Sequence, residues 1–126
     1  MFVWYNLTML PKEYRLKSKA AFRATYRIKN SFYKDGIVLY AGKPKTDFET
    51  TTRVGFVVSK KTHKRAVKRN RLKRLMRESY RLMLKSGEVG AAQSYMSLIF
   101  VGYEKAVGKS FDEIQNSIKD LVKRLK

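Results

Sequence analysis

The chain has 126 residues and a formal net charge of +19, which suits one domain with one modest core and a polyanionic partner. Its aromatic content of 13% sets it apart from disordered basic tails, which are poor in rings. It has no cysteine, so disulfides and cysteine-ligated metals are excluded, and no apolar run approaches the roughly 20 residues that span a bilayer.

Residues 1–10 are apolar and uncharged and lack the basic start of a signal peptide. They read as an extension lying on the domain, or as an upstream start with Met9 as the working initiator. The domain itself is expected over 15–126. A first helix is expected over 18–29 with Ser18 as N-cap. Ala21, Ala24, Thr25 and Ile28 form its expected core side. Phe22 and Tyr26 are an i,i+4 pair on a separate arc, bordered by Lys19, Arg23 and Arg27. Two rings beside three cations are either core or the wall of a stacking groove, and spacing alone leaves both open.

Asn30 to Gly36 reads as a loop and Ile37–Ala41 as a strand. Alternation puts Ile37, Leu39 and Ala41 on one face, and Val38 and Tyr40 on the other. Residues 42–52 are a polar connection. Arg53–Ser59 is a second strand, expected to pair antiparallel with the first. After a long helix, Lys85–Ser94 carries two glycines and ends it. The near-continuous apolar run Tyr95–Tyr103 predicts a central strand covered on both faces. Ser110 and Glu113 form a capping box, and Ile114, Ile118, Leu121, Val122 and Leu125 follow at helical spacing.

The densest charge lies between Lys60 and Arg81. Eleven Lys and Arg (60, 61, 64, 65, 68, 69, 71, 73, 74, 77 and 81) stand there against one acid, Glu78. On a helical wheel Leu72, Leu75, Met76, Ser79, Leu82 and Met83 share one arc. Asn70, Lys73, Arg74, Arg77 and Arg81 share the opposite one, with Arg69 and Arg71 at its edges. The acid partners that stabilise ordinary charged helices are nearly absent. A row of like charges on a rigid rod is tolerated more readily when a polyanion neutralises it, so nucleic-acid contact outweighs a merely solvated face.

Nothing in the chain reads as a catalytic centre. His63 is the one histidine and lies in a basic turn, the acids are scattered, and Gly55 and Gly102 lie in strands rather than in a phosphate loop. The composition supports binding better than catalysis.

The run Arg69-Asn70-Arg71-Leu72-Lys73-Arg74 is preceded by Val57-Val58-Ser59-Lys60-Lys61 and followed by Leu75-Met76-Arg77-Glu78-Ser79-Tyr80-Arg81. This resembles the protein subunit of bacterial ribonuclease P. Arg15-Leu16-Lys17 with Phe22, Val38-Leu39-Tyr40 and Arg53-Val54-Gly55-Phe56 resemble the family in the same order, so the likeness covers roughly residues 9 to 126. It implies an α+β fold, a small two-layer sandwich of order α-β-β-α-β-α. The sheet would have three or four strands and a left-handed βαβ crossover, against the usual hand.

It further implies an auxiliary protein in an endoribonuclease that removes the 5′ leader of precursor tRNA, with the chemistry carried by a catalytic RNA. Mg²⁺ would be held mainly by that RNA and the substrate, and the location would be cytoplasmic. Carried over by position, Arg69, Asn70, Arg71, Lys73, Arg74 and Arg77, with Lys60 and Lys61, match catalytic-RNA contacts. Phe22, Tyr26, Val38 and Tyr40 match the wall of a cleft for the single-stranded leader. No catalytic residue, protein metal site, membrane contact or obligate protein partner is implied. Many members have a Gly-Asn turn before the helix; here Thr62-His63-Lys64-Arg65 replaces it, so the helix is expected to begin near Thr62. The alternatives are a ribosomal or general RNA-chaperone protein, and a protein-only nuclease.

Overall fold

The computed structural model describes residues 10–47 and 49–125. The apolar start and the Met9 initiator lie outside the described residues, save that Leu10 is buried in the main core. Three helices, α1 (Lys19–Arg27), α2 (Ala66–Ser86) and α3 (Phe111–Lys123), accompany four strands: β1 (Asn30–Lys34), β2 (Ile37–Ala41), β3 (Arg53–Val57) and β4 (Ser97–Gly102). Local chemistry sets the helix ends. The Ser18 hydroxyl accepts from the Ala20 and Ala21 amides at 3.1 and 3.4 Å, and Gly87 ends α2 in the left-handed conformation at φ 79°. Ser110 and Glu113 close their capping box in both directions.

The sheet order is β1-β2-β4-β3. Two expectations change here. The segment read as a loop from Asn30 to Gly36 is strand β1 and a tight turn: Lys34 pairs with Ile37 and leaves Asp35 and Gly36 between them, at φ 46° and 89°. Asp-Gly with both φ positive is a favoured hairpin turn. Strands β2 and β3 do not pair with each other. Strand β4 lies between them, antiparallel to β2 and parallel to β3. Pairing of consecutive strands is the local default. The crossover through α2 instead returns the most apolar strand to the middle, where both its faces are covered.

Register sorts the two faces. Ile37, Leu39, Ala41, Val54, Leu98 and Phe100 face α2 and α3 and make the main core with Leu72, Met76, Tyr80, Ile114, Ile118 and Leu121. Phe56 stacks on Phe100 at 5.7 Å, with the Tyr80 ring 5.8 Å from Phe100. Burying these side chains contributes roughly 1.5–3 kcal/mol each. On the other face Leu16, Ile99 and Val101 form a smaller cluster beneath α1.

Three helix expectations are corrected. Helix α2 starts at Ala66, not near Thr62. The lead-in is a turn in which the Thr62 amide donates to the Ser59 carbonyl at 3.0 Å and the Arg65 amide donates to His63 Nδ1 at 3.1 Å. The second bond takes the Arg65 amide, which a helix starting near Thr62 would use for its first i→i−4 bond. Arg81, assigned to the charged arc, is only 2% exposed and is held by Glu78. Ser79, Tyr80 and Arg81 are buried in succession, so this end of α2 is covered far beyond one arc. In α1 the inward side is rotated: Ala24 and Ile28 are exposed, while Phe22 and Tyr26 join Ala21 and Thr25 against the sheet. The larger rings bury more apolar area than Ala24 and Ile28 would.

Candidate nucleic-acid interface

Helix α1 covers only part of its face of the sheet. Thr25 fixes it at one end, its hydroxyl donating to the Ala21 carbonyl at 2.8 Å and meeting the Ser97 hydroxyl at 2.5 Å. The Phe22 ring lies over Gly55, where a Cβ would come within 2.5 Å of Phe22 Cζ; a glycine in β3 is what lets the ring settle there. Tyr26 meets Tyr40 edge-to-face with ring centroids 4.9 Å apart. Beyond this line a cross-strand row, Val57–Val101–Val38–Tyr33, runs along the sheet past the helix.

The structure thus brings Phe22, Tyr26, Val38 and Tyr40 to one half-buried apolar surface. Lys19, Arg23 and Arg27 are exposed along α1. Burial first, and then the neighbouring Tyr40 and Tyr103, push the Tyr26 phenol above its ordinary value. The ring is therefore a neutral stacking surface at physiological pH. Such a floor with cations beside it accepts bases on its rings and phosphates on its rim.

The second surface is α2 and its lead-in. Lys60, Lys61, Asn70 and Arg74 are exposed, and Arg69, Arg71, Lys73 and Arg77 are half-buried. Two of the arginines also brace the scaffold. Arg69 donates to the His63 carbonyl at 2.6 Å and Arg71 to the Lys109 carbonyl at 3.1 Å. A guanidinium carries five N–H donors, so each keeps donors for a phosphate. The lone acid of the helix, Glu78, is engaged by Arg81. Among the described residues no ion pair involves a cation between Lys60 and Arg77. Arg77 lies beside Arg15 and Arg74, and its Nε is buried without a hydrogen-bond partner among the described residues. Burial, then those two neighbouring charges, lower its pKa. Glu78 acts on Arg77 in the opposite sense, so three guanidiniums face one carboxylate, and the excess of positive charge suits an anion.

The ribonuclease P family model matches residues 10–126. The ribonuclease P protein component of Clostridium kluyveri is 39% identical over 111 residues, covering 88% of this chain and 93% of the relative. This chain belongs to the ribonuclease P protein component family. The component from Clostridioides difficile is 37% identical over 109 residues, with 86% and 89% covered. The Staphylococcus aureus RNase P protein structure superposes with a TM-score of 0.68 at 28% identity, covering 87% of this chain and 93% of that one. The Thermotoga maritima RNase P protein, at 23% identity and a TM-score of 0.72, shares the fold.

Ribonuclease P is a tRNA-processing endoribonuclease, and the partner that membership implies for this protein subunit is the ribonuclease P RNA. Among the described residues no helix is long and apolar enough to cross a membrane, and no cluster of three His, Cys, Asp or Glu is placed to hold a metal. The sequence offers no signal by itself for Tyr33 and Tyr103, which border the same half-buried surface. Tyr103 is placed there by its position two residues after Val101. Tyr33 became legible only once β1 was recognised as a strand.

Proposed function

We propose that this protein holds the single-stranded 5′ leader of precursor tRNA against the Phe22/Tyr26/Val38/Tyr40 surface. On the same reading the cations of α2 and its lead-in contact the catalytic RNA. The observation that carries the proposal is the difference between the two surfaces. One is a half-open aromatic floor on which unpaired bases can stack, the other a row of Lys and Arg with one acid, Glu78, suited to a folded phosphate backbone.

The protein then supplies affinity and substrate choice, while the RNA carries the cleavage. On the same reading Mg²⁺ is held mainly by the RNA and the substrate. The cytoplasm is the proposed location, where the RNA partner and precursor tRNA would meet the protein. The test compares precursor and mature tRNA binding to the catalytic RNA with and without the protein. The expected result is a larger gain for the precursor. Equal gains for both would reject leader binding.

A further inference from the structure

Tyr33 and Tyr103 are 53% and 43% exposed and are the two exposed aromatic rings among the described residues. Both residues bond to one turn, Tyr33 through its hydroxyl and Tyr103 through its backbone. The Gly36 amide donates to the Tyr33 hydroxyl at 3.0 Å, and the Tyr103 amide donates to the Gly36 carbonyl at 2.8 Å. That turn is wedged: a Cβ on Gly36 would lie 2.6 Å from the Ala106 nitrogen. Both rings also belong to the α1 side of the sheet. Tyr33 pairs with Val38 in the open row, and Tyr103 follows Val101 by two residues and shares a side-chain hydrogen bond with Tyr40.

Apolar side chains exposed together mark contact surfaces, and rings already pinned lose little conformational freedom on binding. Two lysines and two acids, Asp35 and Glu104, lie beside them. Lys34 and Lys105 both reach Asp35, at 3.9 and 3.8 Å, so one acid faces two cations.

We infer that the strand-binding surface continues past Tyr40 onto Tyr103 and Tyr33, adding stacking positions for single-stranded nucleic acid beyond the four cleft residues. This rests on the leader-cleft reading. The path runs from Phe22 over Tyr26 and Tyr40 to Tyr103 and Tyr33, with Lys34 and Lys105 beside its far end for phosphates. The surface takes single strands rather than duplex, because rings stack only on bases whose faces are free.

The test is a leader-length series. Precursor tRNAs whose leaders grow one nucleotide at a time are bound to holoenzyme reconstituted from the protein and the RNA. Wild type gains affinity until the last ring is occupied. Tyr33→Ala with Tyr103→Ala is expected to reach its plateau about two nucleotides earlier, one per lost ring, and to bind long leaders roughly fivefold to a hundredfold more weakly per lost base. Short leaders and mature tRNA are expected to bind as to wild type. Tyr33→Phe with Tyr103→Phe keeps the rings and should keep the wild-type plateau. Should the paired alanine variant fail to assemble with the RNA, Tyr103→Ala alone is read for a plateau about one nucleotide shorter. Plateaus equal to wild type, with assembly intact, overturn the extension. Tyr26→Ala separates the two readings: if it weakens precursor binding while the alanine pair does nothing, the cleft stands and the extension falls. If neither has an effect, both fall.

Discussion

Arg81 and Glu78 form the most buried ion pair among the described residues, with the Arg81 Nε donating to Glu78 Oε2 at 3.1 Å. Glu78→Ala would take the carboxylate away from a guanidinium that is 2% exposed, and the expected loss is about 3 kcal/mol in urea unfolding. A loss under about 1 kcal/mol would show that Arg81 is satisfied without its partner. Tyr80 makes the opposite case. Its hydroxyl is buried with no hydrogen-bond partner among the described residues, and burial raises its pKa strongly.

An unfolded phenol titrates near 10. The unfolded chain therefore releases that proton at a lower pH than the fold does. The stability linked to Tyr80 is complete below about pH 10 and falls as pH rises toward the folded pKa. Tyr80→Phe is expected to flatten this alkaline limb and to change stability at pH 7 by less than about 1 kcal/mol, because no hydrogen bond is lost. An unchanged alkaline limb in pH-dependent unfolding would assign the effect to other groups.

At the scale of elements, the position of α1 depends on the gap above Gly55. Gly55→Ala would force the Phe22 ring aside, since a Cβ there lies 2.5 and 2.6 Å from its Cζ and Cε1. The expected outcome is weaker binding of precursor tRNA with mature tRNA and catalytic-RNA binding unaffected. Uniform weakening would place the damage in the fold as a whole. For α2, Arg74→Ala with Arg77→Ala should weaken RNA binding. It should also flatten the dependence of log K on log salt by about 0.7–0.9 per lost phosphate contact. An unchanged slope would mean that these arginines do not meet phosphates.

Helices were the most legible elements because their signals are local. Ser18, Gly87 and the Ser110/Glu113 box mark ends by hydrogen bonds that span only a few residues. Strand β1 was the hardest, because Asn30–Lys34 is half-polar and alternates between half-buried and exposed positions. It exists because β2 offers an edge for it to pair with.

For the whole molecule, a charge of +19 gives every RNA some affinity, so charge alone cannot select precursor tRNA. On the proposed reading selection falls to the aromatic side, whose contacts require unpaired bases. Tyr26→Ala is therefore expected to reduce precursor binding by on the order of 1–3 kcal/mol per stacked base and to leave mature tRNA unchanged, as read by equilibrium binding to the holoenzyme. An equal loss for both would make Tyr26 a core residue and nothing more.

Sequence by itself determined the basic helix, the apolar β4, the amphipathic α3 and the alternation of β2. Each is written in spacing along one short segment. It also determined the family, because the Arg69–Arg74 run and its flanks lie in one continuous stretch. Tertiary structure decided what depends on segments meeting from far along the chain. It set β4 between β2 and β3, turned Phe22 and Tyr26 onto the sheet, and drew Arg81 inside with Glu78. It also brought Tyr33 and Tyr103, 70 residues apart in number, to the same Gly36 turn. The physical reason is that burial is a property of the surface that arrives opposite a residue, and periodicity reports only which way the residue points.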